Sequence, residues 1–115
     1  MRALCLVQEL MSRERVHAAC AAAGWQCADG DAPQVRWDGI DVVFADLGEE
    51  NAWVRETLAT RPPAVRLFAW YPHVRGDLRE AGRVLRADVI VPRSRFFRDP
   101  LPLLRSVTAG ETIAD

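Results

Sequence analysis

Short apolar runs alternate with segments of helical period along the whole chain, and few folds accept that order. The clearest run is Asp41-Val42-Val43-Phe44-Ala45-Asp46, four consecutive apolar residues closed at each end by a carboxylate. A strand covered on one face alternates apolar with polar residues. A continuous run therefore predicts a central strand covered on both faces. Four further runs, Ala3 to Val7, Trp25 to Ala28, Val65 to Trp70 and Val89 to Val91, complete a set of five predicted strands. Strands that alternate with helices build parallel sheets through crossover connections, so the class is α/β.

The segments between the runs carry helix signals. Ser12 offers an N-cap to a helix with Val16, Ala19, Cys20 and Ala23 on one face, and Gly24 ends it. Gly30 to Gly39 has room only for a turn or two of helix around Gln34 to Trp37. A longer helix runs from about Glu49 to Thr60 with Trp53, Val54, Thr57 and Leu58 inward, ended by Arg61-Pro62-Pro63. Asp77 to Arg86 is an arginine-rich helix with Leu78, Ala81, Val84 and Leu85 on its buried stripe. Asp99 or Pro100 starts the last helix, which turns Leu101, Leu104 and Val107 inward and stops before Gly110. At 115 residues one domain is expected, spanning 1–110 with 111–115 as a C-terminal tail.

Composition narrows function. All 15 basic side chains are arginine. Without lysine there is no Schiff base, no lysine general base and no Walker-type phosphate site. A net charge of -1 gives no general attraction to nucleic acid or membrane. Cys5, Cys20 and Cys27 lack paired zinc spacings and read as buried thiols of a reduced, cytoplasmic protein. The first apolar run is too short for a signal peptide or a membrane span. His17 and His73 stand far apart without a metal or catalytic pattern, and no nucleophile elbow or dinucleotide loop is present, so no enzymatic activity is expected.

In doubly wound sheets the functional site lies beyond the carboxyl ends of the strands. Here those ends carry Gln8 and Glu9 after the first strand, Asp46 after the third, Ala69 and Trp70 on the fourth, and Pro92 and Arg93 after the fifth. That set, with Asp41 to Leu47, Arg86 to Arg93 and Leu104 to Glu111, resembles the receiver domain of two-component response regulators, most closely those with a LuxR-type output domain. The resemblance implies a flavodoxin-like sheet in the order 2-1-3-4-5. It also implies that Asp46 stands at the position phosphorylated by a histidine kinase in the bacterial family. Glu9, Asp46 and the Gly48 carbonyl would then be the ligands of a magnesium ion, required only for phosphorylation.

Against the family pattern the sequence keeps the acceptor and loses what surrounds it. Gln8 replaces a carboxylate, Arg93 replaces the phosphate-gripping lysine, Ala69 the switch hydroxyl and Ile90 the switch aromatic. Arginine's planar fork does not imitate a compact ammonium and is expected to pair with Asp46 instead. Glu49 and Glu50 add negative charge that repels a phosphoryl donor. These losses point to a pseudo-receiver that signals by protein contact with no required cofactor. The alternatives are a genuine phosphoacceptor at Asp46, or the N-terminal part of a DNA-binding regulator without its output domain.

From Arg75 to Arg105 there are eight arginines against four acids, while the rest of the chain sums to -5. In the family this segment forms the fourth helix, fifth strand and fifth helix, the face used for dimerisation or docking. Arg79, Arg83, Arg86, Ile90, Arg95, Phe96 and Phe97 are the expected interface residues, toward an acidic protein partner or a second copy. One basic stripe on a near-neutral domain makes too few phosphate contacts for nucleic acid.

Overall fold

The computed structural model describes residues 1–30 and 35–115. In chain order the elements are β1 (Arg2–Cys5), α1 (Leu10–Ala22), β2 (Gln26–Asp29), β3 (Val42–Asp46), α2 (Ala52–Ala59), β4 (Arg66–Tyr71) and α3 (Leu78–Val84). There follow β5 (Val89–Pro92), α4 (Arg93–Arg98), α5 (Pro100–Thr108) and β6 (Ile113–Ala114). The strands form one parallel sheet in the order β2-β1-β3-β4-β5-β6. The predicted order 2-1-3-4-5 is present, with β6 added at one edge.

Every residue of β3 is buried, as its apolar run requires of a strand covered on both faces. Alternation along the strands divides the core into two layers. Val42, Phe44, Phe68, Trp70 and Val91 face α1, α4 and α5, which contribute Val16, Cys20, Phe96, Leu104 and Val107. Val43, Ala45, Leu67, Ala69 and Ile90 face α2 and α3, which contribute Val54, Leu58 and Leu78. Trp70 and Phe96 stack with ring centroids 4.5 Å apart and planes 9° from parallel, closing the first layer beneath the carboxyl edge of the sheet.

Several local expectations change. Glu9, not Ser12, caps α1: its carboxylate accepts from the Met11 and Ser12 amides, and Ser12 is buried in the first turn. A carboxylate one turn earlier satisfies the same orphan amides, so the helix starts at Leu10. α2 is shorter than expected because Gly48 to Asn51 form a turn rather than a first helical turn. On α3, Val84 is 74% exposed, and Gly82, not Val84, faces the sheet. On α5 the buried residues are Leu103, Leu104 and Val107, with Leu101 half-buried. Of the helix expected around Gln34 to Trp37, Gln34 lies outside the described residues, and 35–37 are not helical.

Two elements are additional. α4 follows β5 directly, and within the C-terminal tail 111–115 lies β6, with Ile113 opposite Val89 and Ala114 opposite Ile90. Among the described residues no helix is long and apolar enough to cross a membrane.

Candidate functional site

The carboxyl ends of β1, β3 and β5 converge on one cleft, lined by Glu9, Ser12, Arg15, Asp46, Glu49 and Arg93. Asp46 is the last residue of β3 and shares the face of Phe44, so its side chain lies on the α1, α4, α5 side of the sheet. It is 1% exposed. Burying a carboxylate is costly unless it is paired and hydrogen-bonded, and both conditions are met. Arg93 Nη2 donates to Asp46 Oδ2 at 2.6 Å, and the Gly48 amide donates to Oδ1 at 2.8 Å. The expected Asp46–Arg93 pair forms, but through one nitrogen only; Arg93 Nε is buried without a hydrogen-bond partner.

The chain places Arg93 there because β5 ends at Pro92 and α4 begins at once, so the first helical residue stands two positions past Val91, which is level with Asp46, and reaches back over the end of β3. Gly48 is tight against the neighbouring loop: a Cβ there would lie 2.5 Å from Pro72 Cδ. Only glycine allows that turn to fold back onto Asp46.

The other carboxylates of the cleft are also engaged. Glu9 Oε1 accepts from the Met11 amide at 3.1 Å and Oε2 from the Ser12 amide at 2.7 Å. Hydrogen bonds from the Ser12 side chain and amide, then from the Met11 amide, hold the Glu9 carboxyl below the usual carboxylate range. Glu49 accepts from the amides of Gln8 and Glu9 at 2.8 to 3.0 Å, tying the loop after β3 to the loop after β1. The Gln8 side-chain amide turns back to donate to the Leu6 carbonyl. Glu49, expected only as repulsive charge, is thus a structural acceptor. Its partners lie 40 and 41 residues away, and no local sequence signal marks such a contact.

The three expected magnesium ligands all lie at this edge of the sheet and take part in hydrogen bonds there. Glu9 caps a helix, both Asp46 oxygens accept hydrogen bonds, and the Gly48 amide donates one of them. Among the described residues no group of three or more His, Cys, Asp or Glu side chains is arranged to hold a metal ion. Cys5 and Cys20 are buried and Cys27 half-buried. Burial pushes the Cys5 thiol up to about 12, which keeps it protonated and unreactive at neutral pH.

Ala69 is fully buried in the opposite core layer, and the residue level with Asp46 on β4 is Trp70. Neither carries a hydroxyl. Trp70, expected to line the site, lies within the core with its indole Nε1 buried and unpartnered. The interface set also divides. Arg79, Arg83 and Arg86 are exposed, but Ile90 and Phe96 are each 1% exposed and fill the core, so they are withdrawn as interface residues. Arg95 pairs with Asp115, and Phe97 is half-buried beneath the Arg15 guanidinium, 4.8 Å from the ring centroid. Arg15 was not singled out from the sequence, although it follows Met11 by one helical turn on the same edge.

No protein-family model matches the sequence, and no curated protein matches it. Solved structures do match in fold. A response regulator receiver protein from Burkholderia phymatum is 12% identical, with a TM-score of 0.73 over 94% of each chain. The non-phosphorylated HemR receiver domain from Leptospira biflexa is 15% identical, with a TM-score of 0.73 over 92% of each chain. A CheY-like receiver domain from Methylobacillus flagellatus is 19% identical, with a TM-score of 0.69 over 93% of this chain and 98% of that one. At such identities the likeness establishes the fold, which is that of response regulator receiver domains.

Proposed function

We propose that the chain is a pseudo-receiver: a signalling module of the receiver fold that works by contact with another protein and leaves Asp46 unphosphorylated. The observation that carries this reading is the Arg93 guanidinium, 2.6 Å from a carboxylate that is 1% exposed. To accept a phosphoryl group, Asp46 must present an oxygen in line with the donor while positive charge neutralises both anions. Here one oxygen accepts from Arg93 and the other from the Gly48 amide.

A divalent cation does not fit the donor set. Magnesium favours several anionic oxygens in near-octahedral array, whereas the carboxylate oxygens of Glu9, Asp46 and Glu49 already accept hydrogen bonds from amides or from Arg93. The remaining parts of a phosphorylation switch are also missing. Ala69 offers no hydroxyl, and Ile90 is packed against Gly82 in the core. The exposed Arg79, Arg83 and Arg86 suit a partner protein that presents carboxylates, because guanidinium groups bind them bidentately. The module needs no cofactor, catalyses no reaction of its own and acts in the cytoplasm.

Incubation with acetyl phosphate and magnesium, read by intact mass, tests the proposal. The mass of the wild-type chain is expected to stay unchanged. An adduct of about 80 Da on the wild type, absent from Asp46→Asn, overturns the reading and makes Asp46 a phosphoacceptor.

A further inference from the structure

β6 is held on the edge of β5 by contacts that each address a different chemical feature of the added segment. The Ile113 amide donates to the Asp88 carbonyl at 2.7 Å and the Asp115 amide to the Ile90 carbonyl at 2.9 Å, which fixes a parallel register. Residues 113 and 115 share a face by strand alternation. Ile113 packs against the first core layer, and the Asp115 carboxylate meets Arg95 of α4 on that same side. The Tyr71 hydroxyl donates to the Asp115 carbonyl at 2.5 Å, and Arg66 Nη2 donates to the Glu111 carbonyl at 3.0 Å.

Main-chain pairing with one apolar pocket and one cation is the chemistry by which a sheet edge recognises an extended peptide. The occupant is short. Ala114 and Asp115 are exposed, Ile113 is only half-buried, and two paired residues make a strand that opens more readily than the core.

We infer that the β5 edge is a docking site for an extended segment of a partner protein with the pattern apolar, any residue, acidic, added parallel to β5, and that Ile113 to Asp115 occupies it as an internal competitor. Arg95 reads the acidic residue, the wall against Ile113 reads the apolar one, and the Asp88 and Ile90 carbonyls set the register. The inference rests on the reading of the chain as a protein-contact module. It does not rest on the chemistry of Asp46, so a phosphorylated Asp46 leaves it standing.

The full chain carrying Ile113→Ser and Asp115→Ala, which undocks the internal segment, is titrated with the peptide Glu-Thr-Ile-Ala-Asp and followed by NMR. Saturable shifts are expected at Asp88 to Val91 and Arg95, with affinity about tenfold or more above that of the wild type, where the internal segment competes. Arg95→Glu in the same background is expected to abolish binding of this peptide and to bind one whose aspartate is replaced by arginine. Absence of saturable shifts at β5, or equal binding of both peptides by each version, overturns the inference. Amide exchange in the wild type gives a second reading that needs no variant. Ile113 and Asp115 are expected to exchange about tenfold or more faster than Leu67 and Phe68; equal protection means that β6 leaves only on global unfolding, and rules the site out.

Discussion

Asp46 and Arg93 meet through a single nitrogen, yet the pair governs what the carboxyl edge of the sheet can do, because one partner is 1% exposed and the other 37%. Removing the arginine strands a buried carboxylate with only the Gly48 amide for support. Breaking a fully enclosed pair costs about 3–5 kcal/mol; the exposure of Arg93 lets water reach the site and reduces the expected cost of Arg93→Ala to about 1–3 kcal/mol. Asp46→Asn leaves no buried charge and is expected to cost less, and urea denaturation of the two variants gives the order. A larger loss in Asp46→Asn contradicts this account. Glu9 makes a pH-dependent contribution of definite sign. Its carboxyl titrates lower in the folded chain than in the unfolded one, so its stabilisation of α1 is fully present above the ordinary glutamate range and is lost as pH falls through the lower folded value. The stability difference between wild type and Glu9→Ala is therefore expected at neutral pH and should shrink as pH falls below the ordinary glutamate range; a difference that does not change with pH assigns the cap to another group.

At the scale of elements, α3 lies close to β5 because Gly82 faces Ile90. A Cβ at position 82 would fall 2.7 Å from Ile90 Cδ1. In an exposed helix alanine in place of glycine stabilises; here Gly82→Ala is expected to cost about 1–3 kcal/mol by overpacking. Ile90→Ala removes both clashing carbons, Cδ1 and the Cγ1 at 2.8 Å, so the double variant should lose less than the sum of the two single ones, a non-additivity that denaturation midpoints measure. The end of α3 offers the opposite case. Arg86 adopts φ +58°, and the amide of Ala87 closes onto the Gly82 carbonyl, as at a helix end that normally takes glycine. Arg86→Gly is expected to raise stability by about 1 kcal/mol, and a loss of stability means that the arginine side chain matters there. The same elements mark what the sequence could reveal. β1, β3, β4 and β5 were legible because uninterrupted apolar runs admit one reading in a parallel sheet. α4 was not, because Arg93-Ser94-Arg95-Phe96-Phe97-Arg98 carries no repeated helical stripe and is fixed by one buried ring. β6 was not, because two residues carry no periodicity, and its place depends on Arg95 and Tyr71 from elsewhere in the chain. The Asp46–Arg93 pair followed from strand ends converging on one edge, whereas the contact of Glu49 with two amides across the cleft left no mark in its own segment.

Across the whole molecule the two core layers differ in kind. Phe44, Phe68, Trp70 and Phe96 all lie on the α1, α4, α5 side, with successive ring centroids 4.5 to 6.4 Å apart, while the layer under α2 and α3 is mainly aliphatic. α4 reaches three regions at once: Arg93 holds Asp46, Phe96 closes the aromatic layer on Trp70, and Arg95 holds Asp115 beside β6. Phe96 is the one buried residue of α4. Its removal therefore withdraws the anchor of a helix that joins the cleft to the sheet edge. Phe96→Ala is expected to cost about 3–5 kcal/mol, a large share of the about 5–15 kcal/mol that a domain of this kind has available. The neighbouring Phe97→Ala, at a half-buried ring, should cost much less. If the chain unfolds as one unit, Phe96→Ala lowers the urea midpoint with the slope unchanged. A second transition, or equal losses from the two phenylalanines, means that α4 is not fastened to the core through Phe96 and that Arg93 and Arg95 hold their carboxylates independently.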